Sequence, residues 1–131
     1  MKKDIVIPEV KDVFVAAIRE KNEDFQSMDW NAYLINNQER PLEMVLIVAK
    51  GYSQKQLSST LRHSIKVLPA KSFAKIEFLQ DDVLKLNNEF YVTFFVGNKM
   101  FEKRFVFKKN SIRESALSEI PLMKERGVLA E

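Results

Sequence analysis

His63 is the single histidine of the chain, cysteine is absent, and the three glycines, Gly51, Gly97 and Gly127, stand far apart. That inventory removes most catalytic arrangements before any fold is considered. Without thiols the chain has no disulfide, no thiolate metal site and no cysteine nucleophile. A zinc site would have to complete itself with carboxylates around His63, and a Ser-His-Asp triad would have to be built on that one imidazole. Scattered glycines cannot form a loop that cradles phosphate. His63 lies in Thr60-Leu-Arg-His-Ser-Ile-Lys-Val67, where Leu61, His63, Ile65 and Val67 share one face and Arg62, Ser64 and Lys66 the other. It therefore reads as a hydrogen-bonded strand histidine. The densest carboxylates are Glu77, Asp81, Asp82 and Glu89. They lack the Asp-x-Asp-x-Asp-Gly spacing of a calcium loop, and Asp81 as the cap of one helical turn over Asp81–Leu86 accounts for them more simply. The reading assigns no catalytic residue, no metal ligand and no cofactor; a non-enzyme is expected.

Charge offers a second kind of chemistry. The net charge is +3, and its distribution is uneven. Lys50, Lys55, Arg62, Lys66, Lys71 and Lys75 follow one another with no acid among them, and Lys99 to Arg113 holds six basic residues against Glu102 alone. Arg62, Lys66, Lys71 and Lys75 form the candidate basic patch. Nucleic-acid binding draws its affinity from phosphates neutralised along one continuous track, and no aromatic RNA-reading motif of the RRM type is present.

The elements that must position these residues are strands. Phe90-Tyr-Val-Thr-Phe-Phe-Val96 and Met100-Phe-Glu-Lys-Arg-Phe-Val-Phe107 flank Gly97-Asn98-Lys99 and read as a β-hairpin, because aromatic and β-branched runs suit a pleated surface and Gly-Asn supplies the positive φ of a tight turn. Phe90, Val92, Phe94 and Val96 face one way with Phe101, Phe105 and Phe107. Tyr91, Phe95, Met100 and Arg104 face the other, which is too apolar for a solvent face. Val45 and Ile47 of the run Leu42–Lys50 extend this second face in the expectation, giving a candidate interface of Tyr91, Phe95, Met100, Arg104, Val45 and Ile47 for a protein partner or for self-association. The alternative is that the C-terminal segment, with Ile120, Leu122, Val128 and Leu129, folds back over it.

Further strands are expected at Val13–Ile18, Trp30–Ile35 and Phe73–Leu79. Ser111-Ile-Arg-Glu114 has capping-box spacing, so a short helix is expected over Ile112–Ile120, with Gly127 in a turn of the tail. Seven short strands with turns about every ten residues predict an all-β, immunoglobulin-like antiparallel β-sandwich, with a small barrel or a cystatin-like sheet as alternatives. The strands near residues 13, 31, 61 and 74 are expected in one sheet and those near 45, 93 and 104 in the other, which would turn Arg62 and Arg104 to opposite sides. With 131 residues, 46% of them hydrophobic, one domain over 1–131 is expected. The start Met1-Lys-Lys-Asp-Ile-Val-Ile-Pro8 is basic, but its apolar run breaks at Pro8 and does not read as a signal peptide. No window approaches a membrane span, so no membrane association is expected, and the absence of cysteine goes with a reducing, cytoplasmic setting.

Trp30-Asn-Ala-Tyr-Leu-Ile-Asn36, Pro41-Leu-Glu-Met-Val-Leu-Ile-Val-Ala-Lys-Gly-Tyr52, Ser59-Thr-Leu-Arg-His63, Lys71-Ser-Phe-Ala-Lys-Ile-Glu77, Lys103-Arg-Phe-Val-Phe107 and Ile120-Pro-Leu-Met together resemble a small uncharacterised bacterial family of about this length, often labelled phenylalanyl-tRNA synthetase alpha subunit. The resemblance covers nearly the whole chain. The label implies an ATP-binding catalytic core with arginine-bearing motifs on a large sheet, and this chain carries none and has too few residues to build one. The resemblance therefore carries over no catalytic residue.

Overall fold

The computed structural model describes residues 9–58 and 60–131. The start, residues 1–8, with its basic residues and broken apolar run, lies outside them. Among the described residues eight strands form: β1 (Val13–Asn22), β2 (Ser27–Asn36), β3 (Leu42–Tyr52), β4 (Leu61–Leu68), β5 (Ser72–Leu79), β6 (Asn87–Val96), β7 (Lys99–Phe107) and β8 (Gly127–Leu129). They make two four-stranded antiparallel sheets, ordered β5-β2-β1-β8 and β4-β3-β6-β7, packed as an all-β sandwich. Between them Val15, Leu34 and Trp30 of the first sheet meet Ile47, Phe90, Val92, Phe94 and Phe105 of the second. The β6–β7 hairpin, which ends the second sheet on the β7 side, forms where the residue types place it. Gly97 has φ 62° at the first position of its two-residue turn, Lys99 is already in strand, and Phe101 stacks on Phe94 with ring centroids 5.4 Å apart.

The strand carrying Arg62 lies in the second sheet, not the first: β4 pairs with β3, with His63 opposite Ile47 and Arg62 opposite Val48. Strands joined by a short connection tend to lie side by side, and β3 would otherwise leave a long bare edge.

Val45 and Ile47 point into the core and not outward. Both are essentially inaccessible, while Met44 and Leu46 are exposed. The run from Leu42 to Ala49 is apolar on both faces, so alternation alone does not choose its phase. Met44 chooses it: its φ is 50°, the β3–β6 register shifts between Glu43 and Leu46, and Leu42 and Val45 both end up inside.

The two expected helical segments shrink to single 3-10 turns. Val83–Lys85 follows Asp82, which makes no side-chain cap bond, and Glu114–Ala116 follows Arg113 with no capping box. A helix over Ile112–Ile120 loses to sheet coverage, because an extended path lets Ile112 join the main core while Ile120 reaches the outer face of the first sheet. There Ile120 and Met123 lie over Phe14, Ala16, Ile18, Tyr33 and Ile35. Gly127 then sits in a strand and not a turn: β8 pairs with β1, and Glu131 exchanges backbone hydrogen bonds of 2.9 and 3.0 Å with Val106 of β7. The C-terminal segment thus covers one sheet and closes one flank of the sandwich.

Candidate functional site

The outer face of β4-β3-β6-β7 has no such cover among the described residues. In an antiparallel sheet, paired residues project to the same side, so the registers define transverse rows. One row runs Arg62, Val48, Tyr91, Arg104; the next runs Ser64, Leu46, Thr93, Glu102; a third brings Glu43 beside Phe95 and Met100. Of the expected interface residues, Tyr91, Phe95, Met100 and Arg104 are therefore together. Val45 and Ile47 are not, and their places are taken by Met44, Leu46 and Val48. Met44 is 71% exposed, Met100 47% and Leu46 44%, while Val48 and Phe95 are half-buried. No local signal in the sequence distinguishes Leu46 from Ile47; the bulge at Met44 does.

Arg104 donates through Nε to Glu89 and through Nη2 to the Tyr52 hydroxyl at 3.2 Å, and Lys50 Nζ lies 3.6 Å from the same Glu89. Glu89 holds the guanidinium above its ordinary pKa. Tyr91 donates its hydroxyl to Glu102, and that bond raises the phenol's pKa. The centre of the face is consequently neutral in balance. Arg62 and Lys66 on the β4 edge take no ion pair among the described residues.

The candidate basic patch divides. Arg62 and Lys66 belong to this face, Lys71 sits before β5 bonded to the Asn37 carbonyl at 2.8 Å and paired with Glu39 at 3.3 Å, and Lys75 lies opposite Tyr33 on the other sheet. The expected separation of Arg62 from Arg104 is overturned, because the move of β4 puts both in one row.

Elsewhere, His63 Nε2 and Glu77 Oε1 meet at 2.9 Å between β4 and β5, the open flank of the sandwich. A cleft of about 340 Å³ beside it is lined by Leu61, Glu77, Phe78, Asp82 and Phe90 among others, so two of the dense carboxylates do come near one another. Glu77 is engaged by His63, Asp81 is not among the lining residues, and Glu89 lies on the outer face. No group of three or more His, Cys, Asp or Glu side chains converges as a metal site among the described residues. On the covered sheet, Glu20 accepts from Tyr33 at 2.6 Å and from Asn31 at 2.7 Å. Burial, followed by Glu20, pushes the Tyr33 phenol well above its ordinary value.

No helix among the described residues is long and apolar enough to cross a membrane. Comparison of the chain with models of protein families, with curated proteins and with solved structures returns no match.

Proposed function

We propose that the chain is a non-enzymatic protein-interaction module of the cytoplasm that binds through the outer face of β4-β3-β6-β7. The observation that carries this reading is a contrast within the molecule. Both sheets are apolar on their outer sides, yet the C-terminal segment covers only the first and leaves Met44, Leu46, Tyr91 and Met100 of the second exposed, with Phe95 half-buried among them. Contiguous apolar surface rimmed by charge, rich in aromatic residues, Met and Arg, has the composition of an interface core. Support for an immunoglobulin-like Greek key comes from the connectivity: β2 pairs with β5 across an excursion through the other sheet, and β3 pairs with β6. The bacterial family resemblance belongs to the same proposal and lends it no catalytic residue.

RNA binding is the second reading, favoured by the presence of Arg62, Lys66, Tyr91 and Arg104 on one side. Against it stand Glu43, Glu89 and Glu102 on that same side, which offset most of the positive charge a phosphate track needs. The test is capture of partners from lysate, with and without nuclease, by wild type and by Phe95→Asp. Nuclease-resistant capture lost in the variant supports the protein reading; capture abolished by nuclease replaces it with the RNA reading.

A further inference from the structure

We infer that the occupant of this face is a second copy of the same chain, packed sheet against sheet about a two-fold axis parallel to the strands and passing between β3 and β6. The inference rests on the reading above and names its partner. A two-fold interface must be complementary to itself: whatever one edge of the patch presents, the opposite edge must answer. The charges are laid out in that way. The β4 edge presents Arg62 and Lys66, both without an ion-pair partner among the described residues. The opposite edge strand, β7, presents Glu102, which accepts from the Tyr91 hydroxyl and takes no cation among the described residues. Between them β3 and β6 present Leu46, Val48, Tyr91 and Phe95, with Glu43 at one end and the Lys50–Glu89 pair at the other.

Rotation about the stated axis lays β4 of one copy over β7 of the other and leaves each row over itself. Ser64 then faces the second copy's Glu102, with Arg62 and Lys66 two residues to either side, so both cations reach that carboxylate. Leu46 and Val48 of β3 meet Thr93 and Tyr91 of β6, and Glu43, with Met44 beside it, comes over Phe95. Arg62 also comes opposite Arg104, the one like-charge approach in the arrangement, and Arg104 is already neutralised by Glu89. A two-fold axis perpendicular to the strands would set β4 on β4 and place cations on cations. A sheet face about 20 Å wide and about 23 Å long stands at the small end of specific interfaces, so a dissociation constant on the order of 10 µM is expected.

Sedimentation velocity and light scattering up to about 100 µM decide the matter, using full-length wild type, Glu102→Lys, and the double variant Arg62→Glu, Lys66→Glu. These side chains are exposed, and thermal melts confirm that the variants fold. The wild type should approach twice 15.3 kDa. Each variant alone should dissociate at least about tenfold more readily, since symmetry repeats the like-charge contact twice. An equimolar mixture of the two variants should recover the dimer, because both contacts across the mixed pair are then attractive. A wild type that stays monomeric, a dimer indifferent to both variants, or a mixture that fails to recover it would each overturn the inference. A monomeric wild type whose Phe95→Asp variant still loses nuclease-resistant capture would overturn this inference alone and leave the proposed function standing.

Discussion

Tyr33 and His63 each spend their polar atoms on a carboxylate from another strand, and at the scale of single residues their consequences differ. His63 Nε2 and Glu77 Oε1, 2.9 Å apart, link the two sheets across the flank that β8 does not close. His63→Ala should leave the fold intact and cost about 1 kcal/mol in urea denaturation, the value of one partly exposed hydrogen bond. Turnover of any substrate that disappears in this variant would contradict the non-enzyme reading. Tyr33 adds a pH dependence. Its phenol is raised above the ordinary 10.0, by burial first and then by Glu20, so the folded chain holds that proton more tightly than the unfolded chain does. The stability gained is complete below pH about 10 and drains away as pH rises beyond it. Tyr33→Phe should therefore be about 1 kcal/mol less stable than wild type at neutral pH, with the gap closing in alkali. In an ultraviolet phenolate titration, the wild type should show a phenol that ionises well above the ordinary 10.0 and that is missing from Tyr33→Phe. That His63 belongs to a strand was legible in its alternation; that Glu77 is its partner was not, because nothing local relates two edges of different sheets.

At the scale of elements, β3 and β8 depend on single backbone positions. Met44 sets the phase of β3, so Ile47→Asp should unfold the protein, with a buried unpaired charge costing upwards of about 4 kcal/mol, whereas Leu46→Asp should melt close to wild type. Equal tolerance of the two would mean the bulge is misplaced. Met44→Val should cost about 1–2 kcal/mol, since a β-branched residue resists φ 50°, and Met44→Gly should cost little or stabilise. In β8, a Cβ on Gly127 would come 2.4 Å from the Ala17 carbonyl oxygen and 2.8 Å from Ile18 Cδ1. Gly127→Ala should therefore loosen β8 from β1, lowering the melting temperature and deprotecting the Arg19 amide, which bonds to the Arg126 carbonyl, in hydrogen exchange.

For the whole molecule the C-terminal segment is structural. Truncation after Asn110 removes Ile112 from the main core, Ile120 from the outer face of the first sheet, and the backbone partners of β1 and β7. The truncated chain should unfold or aggregate, exposing Phe14, Ile18 and Ile35 together with two bare strand edges. A truncated chain that folds and stays soluble would show that the cover is dispensable. Loss on truncation says nothing about the opposite face, because the two apolar sides belong to different sheets.

Residue types and alternation by themselves determined that the chain is an all-β sandwich, that Phe90–Phe107 forms a hairpin with Tyr91, Phe95, Met100 and Arg104 turned outward, and that no cysteine chemistry is available. These are properties of period-two patterning and inventory, which need no knowledge of neighbours. Tertiary structure decided the rest. Only pairing could assign β4 to one sheet or the other, and with it whether Arg62 and Arg104 share a side. Only a register shift at Met44 could choose between Val45 with Ile47 and Leu46 with Val48, since a run apolar on both faces carries no phase of its own. Only the competition between two apolar faces for one tail could determine that Ile120 and Met123 lie across the first sheet and leave the second bare.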